Sequence, residues 1–145
     1  MTLSLLSLPL ATIKLNGVDT TLNPILGTDK NDKLTASGAS VDGIEASLLD
    51  GKDKVELSAG DSFDPVANNM TVNGGAGKDS FEADGLVAFT GKLNGSDDED
   101  TITIAHAAGA TLQGGMNADT VSVGSAVDLD VAGSRASSSI TDASV

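Results

Sequence analysis

One frame recurs along this chain: a glycine, four residues, an aspartate, one residue, then an apolar side chain. The fullest copy is Asn73-Gly74-Gly75-Ala76-Gly77-Lys78-Asp79-Ser80-Phe81-Glu82. Leu26-Gly27 leads to Asp32 and Leu34, Asn94-Gly95 to Asp100 and Ile102, and Gln113-Gly114-Gly115 to Asp119 and Val121. Asp50-Gly51 leads, three residues short, to Asp53 and Val55, and a sixth copy runs from Gly133 to Ile140 with Ser138 in the aspartate's place. Positions 32, 53, 79, 100, 119 and 138 lie 21, 26, 21, 19 and 19 apart. A period near 20 residues marks a stacked architecture, in which each repeat buries its apolar face only against its neighbours.

Each copy has one word order: a glycine–aspartate turn, a short strand, a second turn and a second strand. Asp119-Thr120-Val121-Ser122-Val123, then Gly124-Ser125-Ala126, then Val127-Asp128-Leu129-Asp130-Val131 is the clearest. Both strands alternate with period two, so each has one buried face, and no window carries helical periodicity. The pattern predicts an all-β parallel β-solenoid, β-roll-like, with two short strands per coil and about six coils of roughly 20 residues. Phe81, Ile102, Val121 and Val123 are expected to face inward. Aromatic content of 2% suits a thin core of Val, Leu, Ile and Ala between two close sheets.

Residues 1–25 stand apart from the repeat domain at 26–145. Leu6, Leu8, Leu10, Ile13 and Leu15 alternate with other residues, Pro9 marks an edge, and Asn16-Gly17 is a turn signal. The segment reads as an arm or cap over the open end of the stack, or as an ordinary first rung. It lacks the basic region of a signal peptide and the length of a membrane span.

Gly74 to Glu82 matches the whole nonapeptide Gly-Gly-x-Gly-x-Asp-x-apolar-x, and Gly27 to Leu34 reads Gly-Thr-x-x-Asn-Asp-x-Leu. In these stretches the chain resembles the repeats-in-toxin (hemolysin-type) calcium-binding family. That resemblance implies a parallel β-roll with calcium between stacked turns. Here the motif occupies one edge of the coil, Gly95-Ser96-Asp97-Asp98 lacks two of the glycines, and Asn117 stands in the third glycine's place after Gly115-Met116.

Stacked aspartates one coil apart repel by about 1 kcal/mol even in water, so something must offset them. Lys30, Lys33, Lys52, Lys54 and Lys78 lie within the first three turns, which predicts neutralisation there. The last two turns hold no lysine, and point to Ca2+ on a set drawn from Asp79, Asp97, Asp98, Asp100, Asn117 and Asp119, with solvated carboxylates as the alternative.

A net charge of −13 speaks against nucleic acid and anionic membranes as partners. With no cysteine, disulfides and thiolate metal sites are excluded. His106 is the single histidine and reads as a loop residue; the pair Asp97 and Asp100 lacks an aromatic sugar platform. The expectation is a non-enzymatic structural protein, with no membrane insertion, acting as a subunit of a larger assembly. Phage capsid decoration or cement proteins and surface-layer elements are the kinds of assembly expected, on a virion or at the cell surface. Other capsid or surface-layer subunits, and further copies of the chain in a homo-oligomer, are the expected partners. The alternative is a secreted hemolysin-type calcium-binding domain exported without an N-terminal signal.

Overall fold

After each aspartate the alternation of apolar and polar residues gives the chain one face to bury and one to expose, and the next copy supplies the cover. In the computed structural model, which describes residues 12–38, 40–59, 66–132 and 137–140, this produces a parallel β-solenoid without helix. The first ladder runs through β4 (Lys33–Gly38), β7 (Lys54–Ala59), β9 (Ser80–Asp97), β10 (Thr101–Gly115), β11 (Thr120–Val127) and β13 (Ser137–Ile140), every neighbour parallel. A second ladder stacks β3 (Ile25–Thr28), β6 (Glu45–Leu49), β8 (Val66–Ala76), the ends of β9 and β10, and β12 (Asp130–Ala132). Between them a third, shorter ladder joins β5 (Ser40–Asp42) to the start of β8 and the middles of β9 and β10.

The register stacks like on like. Leu34, Val55, Phe81, Ile102 and Val121 form one inward row, and Ile25, Ala46, Val72, Leu93, Leu112 and Val131 face them from the second ladder. All but Val131 are buried. Phe81, Ile102, Val121 and Val123 point inward as the alternation predicts.

Coils average about 21 residues and make about four turns. The expectation of six counted every copy, but the two ends differ from the middle. β1 (Thr12–Leu15) and β2 (Val18–Asp19) form an antiparallel hairpin, and β1 pairs antiparallel with β4. Ile13 and Leu15 pack on the core cluster from there, while the arm's first eleven residues lie outside the described residues. At the other end Ser138 pairs with Val121, so it occupies the apolar place of the motif, two positions beyond the aspartate's. The strand expected over Val127 to Val131 is broken: Asp128 adopts φ of 51°, and β12 begins at Asp130.

The second turn is not short. Leu49 pairs with Thr28 and Asp50 bridges Ala76, so Leu48 and Leu49 stand where Gly74 and Gly75 stand one coil on, and Gly51 matches Gly77. Alignment on Gly51 as a first glycine hid this, because the coil spends its glycine on the fourth motif position.

Candidate functional site: the buried aspartate column

In the copies ending at Asp53, Asp79, Asp100 and Asp119 the motif's second and fourth positions take left-handed backbone whatever residue occupies them. At the second, φ is 76° for Leu49, 113° for Gly75, 88° for Ser96 and 113° for Gly115. At the fourth, φ is 145° for Gly51, 122° for Gly77, 75° for Asp98 and 76° for Asn117. These conformations turn the chain sharply enough to bring the aspartate back under its own turn.

The first position is decided by space. A Cβ on Gly74, Gly95 or Gly114 would overlap the Oδ2 atom of Asp79, Asp100 or Asp119 respectively. In every copy but that of Asp53, where Leu48 holds the first position, the carboxylate is thus folded inward against the glycine five residues before it. Asp32, Asp53, Asp79, Asp100 and Asp119 are 2–3% exposed, the buried charged residues of the described chain. That removes the solvated reading of these carboxylates.

From Asp53 onward, each carboxylate serves the main chain of the coil before it. The N–H of Asp32 donates to Asp53 Oδ1 at 2.8 Å, that of Asp53 to Asp79 Oδ1 at 2.9 Å, that of Asp79 to Asp100 Oδ1 at 2.8 Å, and that of Asp100 to Asp119 Oδ1 at 3.0 Å. In return the N–H groups of Lys54, Ser80, Thr101 and Thr120 donate to the carbonyls of Asp32, Asp53, Asp79 and Asp100. A buried main-chain N–H left unpaired would cost about 1–3 kcal/mol, so the aspartate is what lets the turn be buried at all.

The other oxygen is left over. Asp53, Asp79, Asp100 and Asp119 each hold a buried Oδ2 with no hydrogen-bond partner, whereas Asp32 Oδ2 accepts from the Thr28 N–H at 2.5 Å and its hydroxyl at 3.1 Å. Burial raises the Asp100 carboxyl to about 7 and the Asp79 carboxyl to about 6, against the hydrogen bonds that favour the charged form. Neighbouring aspartates add to the rise, and Asp53 is raised for the same reasons.

The lysines do not neutralise this column. Lys33 and Lys54 meet Glu56 at 2.7 and 2.6 Å, Lys54 reaches Glu82 at 3.8 Å, and Lys78 pairs with Glu99. Lys52 lines an open depression with Asp50, Lys78 and Asp98 on the outer side of the turns. Lysine heads stay in water, and the aspartates are folded away from them.

The residues singled out for a cation separate into two sets. Asp79, Asp100 and Asp119 share the buried column, while Asp97, Asp98 and Asn117 sit exposed on the outside of their turns. Among the described residues no three acidic or histidine side chains converge on one point. His106 is exposed and its Nδ1 lies 2.5 Å from Ser125 Oγ on the adjacent rung. No carboxylate orients that imidazole among the described hydrogen bonds.

Sequence reasoning missed Asn16. Its side-chain Nδ2 donates to Asp32 Oδ1 at 2.6 Å, and its Oδ1 accepts from the Lys33 N–H at 2.8 Å. The Asn-Gly pair signals a turn, and nothing local says that its side chain tops the column. No family model, curated protein or solved structure matches this chain.

Proposed function

We propose that this chain is a non-enzymatic structural protein, a β-solenoid subunit of a larger protein assembly such as a phage capsid decoration or a surface layer. The observation that carries the reading is the use made of the aspartates. Four of the five buried carboxylates close main-chain hydrogen bonds between coils, so the acidic groups that could have served chemistry serve the stack. The outcome is a short rod with polar ladders outside, suited to being held by neighbours. Density-gradient purification of particles and envelopes from the source, with cross-linking, tests it: the chain should band with a repetitive shell and cross-link to its subunits. Recovery only as free protein overturns it.

A calcium-binding role is favoured by a separate observation, the unpartnered Oδ2 atoms of Asp53, Asp79, Asp100 and Asp119. Buried carboxylate oxygens are the ligands a hard cation takes, and main-chain carbonyls of the turns, such as that of Gly114 near Asp100 Oδ2, are close by. Isothermal titration with calcium separates the two readings. Under the structural reading there is no heat and no change in melting temperature. Under the calcium reading, binding disappears in the pair Asp100→Asn and Asp119→Asn, and calcium at a hundredfold excess over Kd stabilises by about 2.7 kcal/mol.

A further inference from the structure

We infer that the hairpin of β1 and β2 is a stopper, seated on a docking surface that would otherwise take the end of a second copy of this chain. The inference goes beyond the assembly reading above and does not depend on it, because it concerns contacts between copies of this chain at one end of the rod.

The Asn16 carboxamide reproduces, donor for donor and acceptor for acceptor, the main-chain N–H and C=O of a missing ladder aspartate. Within the column, an aspartate N–H donates to the Oδ1 of the next aspartate, and its carbonyl accepts from the residue after that aspartate: Asp32 N to Asp53 Oδ1 at 2.8 Å, Lys54 N to Asp32 O at 2.9 Å. At the top, Asn16 Nδ2 donates to Asp32 Oδ1 at 2.6 Å and Asn16 Oδ1 accepts from Lys33 N at 2.8 Å. The flipped amide would set oxygen against carboxylate and N–H against NH2, so chemistry fixes its orientation. The end of the column therefore has the hydrogen-bonding pattern of an interior rung, filled by a side chain.

Between the first and second rungs of the second ladder a side chain likewise stands in for main chain. Asn23 Oδ1 accepts from the Glu45 N–H at 3.0 Å, and its Nδ2 donates to the Gly43 carbonyl at 3.0 Å. One coil on, the corresponding bond is main chain to main chain, from Thr71 N to Ile44 O. Thr20 Oγ1 and Thr28 Oγ1 take the N–H groups of Leu22 and Lys30. Among the described residues the first ladder ends in β2, two residues long and antiparallel, the kind of blunt edge that resists further pairing. A side-chain amide and a reversed strand thus occupy the place above the first rung of the first ladder, whose register fits another parallel coil, and a second copy is the partner that carries such a coil.

Sedimentation velocity on the full chain tests this with wild type, N16D and N16D carrying an Ile13→Cys/Ala36→Cys disulfide, at positions that pair directly between β1 and β4. N16D removes the donor and sets a second carboxylate against Asp32. Wild type should keep one size across concentration. N16D should at least double its weight-average mass as concentration rises and form end-on rods in electron micrographs. The oxidised disulfide should restore the wild-type size, and reduction should release association again. The inference is overturned if N16D keeps the wild-type size while the Lys33 amide exchanges faster, or if the disulfide leaves association intact. Should N16D fail to fold by circular dichroism, Asn16→Ala, which removes the carboxamide without adding a carboxylate, is scored by the same criteria.

Discussion

Single atoms decide where this motif tolerates change. Gly95 and Gly109 look equivalent in sequence, yet a Cβ on Gly95 would overlap the Asp100 carboxylate, while around Gly109 there is nothing within 4 Å. Gly95→Ala should cost about 1–3 kcal/mol or more through overpacking against a buried charge. Gly109, at φ of 64°, should lose only the left-handed preference, roughly 1 kcal/mol, on change to Ala. Urea melts of the two variants check the ranking, and equal losses would mean that backbone strain rather than space fixes the first glycine. Leu49 is the opposite case, an L residue with a bulky side chain held at φ of 76° and 39% exposed. Leu49→Asn should raise stability by a few tenths to about 1 kcal/mol, because Asn adopts that conformation at lower cost. A lowered melting midpoint would show that the leucine's remaining contacts outweigh the strain.

At the scale of the element, each strand is short and draws its stability from the rows above and below. Phe81 is the largest member of the row running from Leu34 to Val121, and it lies at the middle coil, with Ala83 next to it on the same inward face. Large and small side chains alternate in this way so that two close sheets can be filled without many aromatics. Phe81→Ala should cost about 3–5 kcal/mol, since neither neighbouring coil can move in to fill the space without breaking its own register. Chemical denaturation gives that number directly. A loss below about 1.5 kcal/mol, the range of volume-conserving swaps, would mean the rungs slide more freely than the continuous ladders imply.

The column of aspartates gives the whole molecule a pH dependence of unusual sign for an acidic protein. Asp79 and Asp100 have carboxyl pKa values near 6 and 7 in the fold, above the ordinary 3.8. The folded state therefore holds these protons more tightly than the unfolded chain. Their stabilisation is complete below about pH 4 and is lost as pH rises through the folded values. The exposed pairs of Glu56 and Glu99 with lysine have lowered carboxyl values and act in the other direction, lost as pH falls, but such surface pairs are worth little. The chain should melt at a higher temperature near pH 5 than near pH 8. Asp100→Asn, which keeps an Oδ1 acceptor for the Asp79 N–H and removes the charge, should flatten that difference. Thermal melts in calcium-free buffer across this range check both statements, and a wild-type midpoint that rises toward pH 8 would contradict them.

The repeat frame alone carried the architecture: glycine, aspartate and alternating apolar residues at a period near 20 leave a chain of this kind little besides a parallel stack. It also set Phe81, Ile102, Val121 and Val123 inward, because a two-residue side-chain period is a local property of strand geometry. Register was legible only where glycines were unambiguous. Leu48 and Leu49 in glycine places, and Ser138 opposite Val121, emerged once the rungs were paired, since pairing is a contact between residues about 20 apart. The direction of the aspartates was likewise invisible: the sequence places carboxylates at the turns, but whether they face water, lysine or the main chain depends on how tightly the turn closes over the motif's first position. That closure turned five expected surface charges into a buried column, sent the lysines to Glu56, Glu82 and Glu99, and gave Asn16 its place at the top of the stack.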